Sequence, residues 1–92
     1  MKYPKRCTEI QTTLLPDGHT VLMHKPSSWA HTLSPLGSLV WEFCDGLHTT
    51  EEIISSIKAI PGLTLPEALE EEVTQLLKQF AEDGLLAEET GD

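Results

Sequence analysis

The spacing of apolar and polar residues along this chain changes period once, dividing it into a strand half and a helix half. Ile10 to Leu15, rich in Thr and aliphatic residues, predicts a first strand. It runs into Pro16-Asp17-Gly18-His19, where Asp-Gly supplies the positive-φ positions of a tight turn. Thr20 to Lys25 returns as a second strand, so the pair reads as a hairpin, and Pro26-Ser27 interrupts it. Ser28 to Leu33 then alternates, with Trp29, His31 and Leu33 on one face and Ala30 and Thr32 on the other. This predicts a short third strand at a sheet edge.

At Ser34 the period becomes 3.6. Ser34-Pro35 is a helix start, with Ser as N-cap and Pro at the first helical position, where its missing N–H costs nothing. Leu36, Leu39, Val40 and Phe43 follow as the apolar stripe, flanked by Trp41 and Cys44, and Asp45-Gly46 stops the helix. Thr49-Thr50-Glu51-Glu52 is a capping box for a second helix that buries Ile53, Ile54, Ile57 and Ile60, ended by Pro61-Gly62. Thr64-Leu65-Pro66-Glu67 opens a third, longer helix with a stripe of Leu69, Val73, Leu76, Leu77 and Phe80. Asp83-Gly84 closes it, Leu85 and Leu86 fold back onto the core, and Glu88 to Asp92 is expected to fray. Three strands followed by three helices predict an α+β fold, a three-stranded antiparallel sheet capped by helices. The second and third helices have helix-turn-helix proportions, which makes the fold winged-helix-like.

At 92 residues the chain is expected to form a single domain with its core over about 10–87. So short a chain buries only about 60–65% of its unfolded surface, which leaves little room for a deep substrate cavity. The net charge of −9 is uneven. Residues 1–48 balance four basic groups against four acidic ones, whereas residues 49–92 set Lys58 and Lys78 against eleven acids. Phosphate neutralisation by Lys and Arg dominates nucleic-acid affinity, so the acidic half argues against nucleic acid as a partner. No stretch approaches the roughly 18 apolar residues of a membrane span, and Met1-Lys2-Tyr3-Pro4-Lys5-Arg6 has no apolar segment behind it. With only Cys7 and Cys44, far apart, the reading is a cytoplasmic protein with reduced thiols.

Catalytic chemistry is not evident. His19, His24, His31 and His48 are the ligand or acid–base candidates, and His24 and His31 can face each other across neighbouring strands. Zinc needs three or four converging ligands, and no HExxH or HxH spacing exists, so no metal site is expected. Cys44 with His48 suggests a nucleophile pair, but Asp45-Gly46 intervenes and no third orienting group follows. Gly37 and Gly46 belong to no phosphate-cradling loop, and Glu70-Glu71-Glu72 reads as a solvated helix face. The chain is expected to be neither an enzyme nor a cofactor protein.

Several stretches together resemble the PqqD-like family: Asp17-Gly18 before a Val-Leu strand; His31-Thr32-Leu33-Ser34-Pro35-Leu36-Gly37 leading into Leu39-Val40-Trp41; and Asp45-Gly46-Leu47-His48-Thr49-Thr50-Glu51-Glu52-Ile53-Ile54. The apolar positions from Leu69 to Phe80, followed by Asp83-Gly84-Leu85-Leu86, extend the likeness over about Gln11 to Ala87. Ser34 stands where the family often has Asn, and either can cap a helix. The resemblance implies a RiPP recognition element, a non-catalytic chaperone that binds the leader of a ribosomally made precursor peptide as an added strand. The implied partners are that leader peptide and a modifying enzyme, a radical SAM enzyme or a RiPP protease or cyclase. An edge strand offers the unpaired N–H and C=O groups such binding needs.

Mapped onto this chain, the edge is Trp29, Ala30, His31, Thr32 and Leu33. The facing wall is the third helix, whose stripe is larger than a three-stranded sheet needs. Val73, Leu76, Leu77 and Phe80 are expected to line part of a groove, with Glu72 and Gln79 reaching a basic or polar leader residue. Two rival readings are a winged-helix DNA-binding regulator and a structural or regulatory subunit forming a homodimer through the third strand or a patch near Trp29 or Trp41. The glutamates opening the third helix, with no Lys or Arg before Lys78, oppose the first.

Overall fold

The computed structural model describes residues 3–24 and 26–87. Its elements are β1 (Ile10–Leu14), β2 (Thr20–His24), β3 (Trp29–Leu33), α1 (Pro35–Glu42), α2 (Thr50–Lys58) and α3 (Leu69–Glu82). This is the expected α+β order. The turn between β1 and β2 closes as its sequence requires: Gly18 takes φ +92°, the Leu15 N–H donates to the His19 carbonyl at 2.8 Å, and Asp17 Oδ1 accepts from the His19 N–H at 3.0 Å. The sheet is antiparallel in the order β1-β2-β3. Its register pairs Thr12 with Leu22 and Leu22 with His31, so Leu22 is central to the inward face. Leu22 is fully buried and Leu33 nearly so, while Gln11, Thr13, Met23, Ala30 and Thr32 on the opposite face are exposed.

Helix α1 begins as expected, Ser34 Oγ accepting the Gly37 N–H at 3.1 Å with Pro35 in the first turn. Its buried face differs from the expected stripe. Gly37, Ser38, Val40 and Trp41 are buried, and Leu36, Leu39 and Phe43 are only partly so. The period was right and the phase was not, because Trp41 offers more apolar area than any leucine and takes the central position. Its indole packs edge-on against Phe80 at 5.6 Å and 89°, and its Nε1–H donates to Thr12 Oγ1 at 3.1 Å.

The capping box of α2 is present in both directions, the Thr49 N–H donating to Glu52 Oε1 at 2.8 Å and the Glu52 N–H to Thr49 Oγ1 at 3.1 Å. Ile53 and Ile57 are buried, and Ile54 and Ile60 lie half-buried at the margin. The start signal at Thr64 does not begin α3. Residues 64–68 are not helical, Ala68 takes φ −96° and ψ 41°, and the helix opens at Leu69 without a side-chain cap. Pro66 biases the residue before it toward extended backbone, and the chain turns helical only where Leu69 enters the core.

Leu85 is buried as expected, its N–H held by the Phe80 carbonyl at 2.9 Å. A structured segment before residue 10 escaped the sequence reading. The Arg6 N–H donates to the Cys44 carbonyl at 2.8 Å, Cys7 N–H to the Leu85 carbonyl at 2.9 Å, and Ala87 N–H to the Lys5 carbonyl at 2.8 Å. The Arg6 guanidinium donates to the Trp41 and Glu42 carbonyls, both at 2.9 Å, supplying from outside the cation that the last turn of α1 lacks. The expected fraying of Glu88 to Asp92, and the end of the second strand at Lys25, lie outside the described residues.

Phe80→Ala removes a ring that is 2% exposed and touches Trp41, and should destabilise the domain by about 3–5 kcal/mol, read from its urea midpoint. The Thr49 backbone N–H, followed by its hydroxyl, holds the Glu52 carboxyl below the ordinary glutamate value of 4.5. A depressed folded pKa means stability present above 4.5 and lost as pH falls through the lower folded value. Glu52→Gln should flatten that acid limb in thermal melts; an unchanged limb would show that the Glu52 carboxyl does not set it.

Candidate functional site

Strand β3 is an edge. It pairs with β2 on one side, and among the described residues no segment pairs with its outer border. Helix α3 packs against α1 and α2 rather than closing on that border. Two contacts fix how strand and helix lie. A Cβ on Gly37 would meet Leu33 Cβ at 3.4 Å and Leu76 Cδ2 at 3.7 Å, ordinary contact distances, so α1, the end of β3 and the middle of α3 converge at this residue. Nearer the C-terminus of α3, His31 Nε2 lies 3.4 Å from Asp83 Oδ2. The helix therefore runs antiparallel to the strand. Where they converge lies a cavity of about 430 Å³ lined by Ser34, Leu36, Glu71, Glu72, Gln75, Leu76 and Gln79.

The expected site residues divide. Leu76, Glu72 and Gln79 line the cavity. Val73, Leu77 and Phe80 do not: at 0%, 4% and 2% exposure they are core and offer nothing to a ligand. They carry the central stripe of α3, which α1, α2 and Leu85 cover, and only the flank of the stripe reaches solvent. On β3, Ala30, His31 and Thr32 are exposed and Trp29 is half-buried, while the Leu33 side chain, 6% exposed, points into the core and leaves only its backbone at the border. Ser34, Leu36, Glu71, Gln75 and Asp83 were missed. The spacing Glu72, Gln75, Leu76, Gln79, Asp83 marks one face of α3, so the same i, i+3, i+4, i+7 count that found the core could have found the wall.

The cavity floor is apolar at Leu36 and Leu76, and its rim is acidic at Glu71 and Glu72. Among the described residues neither glutamate has a cationic partner, the Lys58 ammonium lying instead 3.6 Å from Glu70. Such a site holds an apolar side chain and favours a basic neighbour.

The histidines do not converge. The register opposes His24 to Trp29 and His31 to Leu22, so they do not face each other as expected. The Trp29 ring stacks on His24 at 5.3 Å and meets His31 edge-on at 5.9 Å. Among the described residues no three His, Cys, Asp or Glu gather as a metal site would require. Cys44 is buried with its Sγ–H directed at the Val40 carbonyl, 3.1 Å away, and burial pushes its thiol up to about 12. His48 turns instead to Asp45, Nδ1 to Oδ1 at 2.9 Å, and that bond with the Leu47 N–H holds the Asp45 carboxyl below its ordinary value. No activated nucleophile results.

A family model described as Coenzyme PQQ synthesis protein D (PqqD) matches residues 19–86. No curated protein matches the chain. Among solved structures, the chain is similar to TbiB1 in complex with the TbiA(beta) leader peptide, at 22% identity, with a TM-score of 0.73 over 94% of this chain and 98% of that one. At that identity the likeness shows a shared fold.

Iodoacetamide should leave Cys44 unmodified in the native protein at pH 8 and label it only in denaturant, as read by peptide mass. Rapid native labelling at Cys44 would contradict the burial on which its inertness rests.

Proposed function

The chain belongs to the PqqD family, and from that membership we propose that it binds the leader of a ribosomally synthesised precursor peptide and presents it to a modifying enzyme. One observation carries the reading: the outer border of β3 is unpaired among the described residues, and just past its end, at Ser34, lies a cavity against α3 that holds Leu36 and Leu76 among polar residues. An extended segment entering there gains main-chain hydrogen bonds along five strand residues, Trp29 to Leu33. Side chains on one face of that segment then turn toward Leu36 and Leu76. The similar fold of TbiB1, solved in complex with a leader peptide, supports leader binding here.

The chemistry is positional. A peptide held as a strand loses the freedom of the loose chain, and its modifiable portion is left beyond the strand for the enzyme. In this reading the protein acts as a carrier and the receiving enzyme supplies the reaction. Radical SAM enzymes and RiPP proteases or cyclases are the partners in view. Glu71 and Glu72 at the cavity rim favour a leader with Lys or Arg next to its apolar anchor. Duplex DNA would meet the same glutamates, together with Glu67 and Glu70 at the start of α3, and be repelled.

Titrating the leader encoded by a neighbouring precursor gene should shift the amide signals of Trp29 to Leu33 and of Leu76 and Gln79. Leu76→Ala should weaken binding about tenfold or more, with a smaller loss of stability than Phe80→Ala. Shifts confined to β1, the other sheet edge, would overturn the assignment.

A further inference from the structure

A second recess lies on a different face of α1. Its volume is about 640 Å³, and its walls come from the end of β1, the outer side of α1, the loop before α2 and the loop after it. Leu14, Pro35, Leu39, Phe43, Ile60 and Leu63 supply the apolar surface. Leu14 is 63% exposed and Leu63 38%, large apolar side chains held in water by a domain with little core to spare. This accounts for the phase of α1. Leu39 and Phe43, expected in the core, instead face this recess, while Leu36 faces the cavity beside α3. The two recesses share no lining residue, so both can be filled at once.

The rim selects the occupant. Glu42 and Asp45 line the recess and no Lys or Arg does; Asp45 is bonded to His48, also in the lining, at 2.9 Å, so Glu42 is the carboxylate most open to a partner. Arg6, the chain's one arginine, is committed to the Trp41 and Glu42 carbonyls, and the stem of Lys5 packs over Gly46, beside Asp45. A second copy of a chain of net charge −9 would bring more acid to an acidic rim. The leader, extended along β3, cannot also reach this side of α1 as a strand.

We propose that this recess is the docking site for a protein partner that presents an apolar anchor flanked by Lys or Arg, and that it is occupied together with the leader cleft. The inference rests on the peptide-carrier reading only for the partner's role; the site itself stands on the recess and its acidic rim. An apolar anchor is worth most where water is fully displaced, which Leu14, Leu39, Phe43 and Leu63 around one hollow allow. The acidic rim sets orientation and speeds encounter with a basic surface.

The test uses the full chain, isotope-labelled, with a short amphipathic leucine–lysine peptide and its leucine–glutamate counterpart as probes. The leucine–lysine peptide should shift the amides of Leu14, Leu39, Phe43 and Leu63, and bind about tenfold or more tightly than the counterpart. Leu14→Ser with Leu63→Ser, neutral changes at exposed positions, should weaken it by a similar factor, and Glu42→Lys should weaken it with a reduced salt dependence. Leader binding should be unchanged in both variants. Shifts centred on Glu71 and Glu72, equal binding of the two peptides, or a dimer abolished by the double serine variant in light scattering would each overturn the proposal. A wild-type chain that binds the leucine–lysine peptide here and no leader would instead overturn the peptide-carrier function, leaving this site standing.

Discussion

The indole of Trp41 is the contact on which the rest of the structure depends. One residue of α1 reaches the sheet through the hydrogen bond to Thr12 and reaches α3 through the ring of Phe80. It is 1% exposed. Buried rings contribute both area and a preferred edge-on geometry, so this contact fixes the distance of α3 from the sheet as well as holding it there. Gly37, one turn earlier on α1, marks where α1 meets Leu33 and Leu76 on the other side. With α3 held by α1 and α2, β3 keeps a bare border.

A bare strand edge is a hazard as well as a site, since it can pair with any extended chain. Here it is short, five residues, and one of them, His31, already meets Asp83 across the cleft. The acids concentrated on the helical half add a filter by charge. Glu71 and Glu72 place two of those acids at the cavity just past the end of that strand, where a basic segment would meet opposite charge.

Helix α1 separates two functions. Its inward residues Val40 and Trp41 are core, Leu36 is turned to the peptide cleft, and Leu39 and Phe43 are turned to the second recess. Eight residues make only about two turns, and every face of them is used. A helix apolar on several sides is what a carrier with two docking surfaces requires, and it explains why a stripe count on α1 alone misplaced its buried face.

Local signals along the sequence determined the elements and their order. The Asp17-Gly18 turn, the Ser34-Pro35 start, the Thr49–Glu52 capping box and the Asp83-Gly84 stop each act through bonds within a few residues, so they are legible without the fold. The edge position of β3 followed from its short alternation, and Glu72, Leu76 and Gln79 from their place beside the stripe of α3. Tertiary structure alone decided which apolar residues are core and which are wall. Val73, Leu77 and Phe80 repeat at the same spacing as Leu76, but only packing against Trp41, Ile53 and Leu85 shows that they are covered. The N-terminal segment was illegible for the same reason: Arg6 and Cys7 bond to carbonyls some 35 to 80 positions away, and no periodicity encodes a partner so distant. Period follows from the geometry of the backbone, whereas phase and partner follow from what else the chain brings alongside.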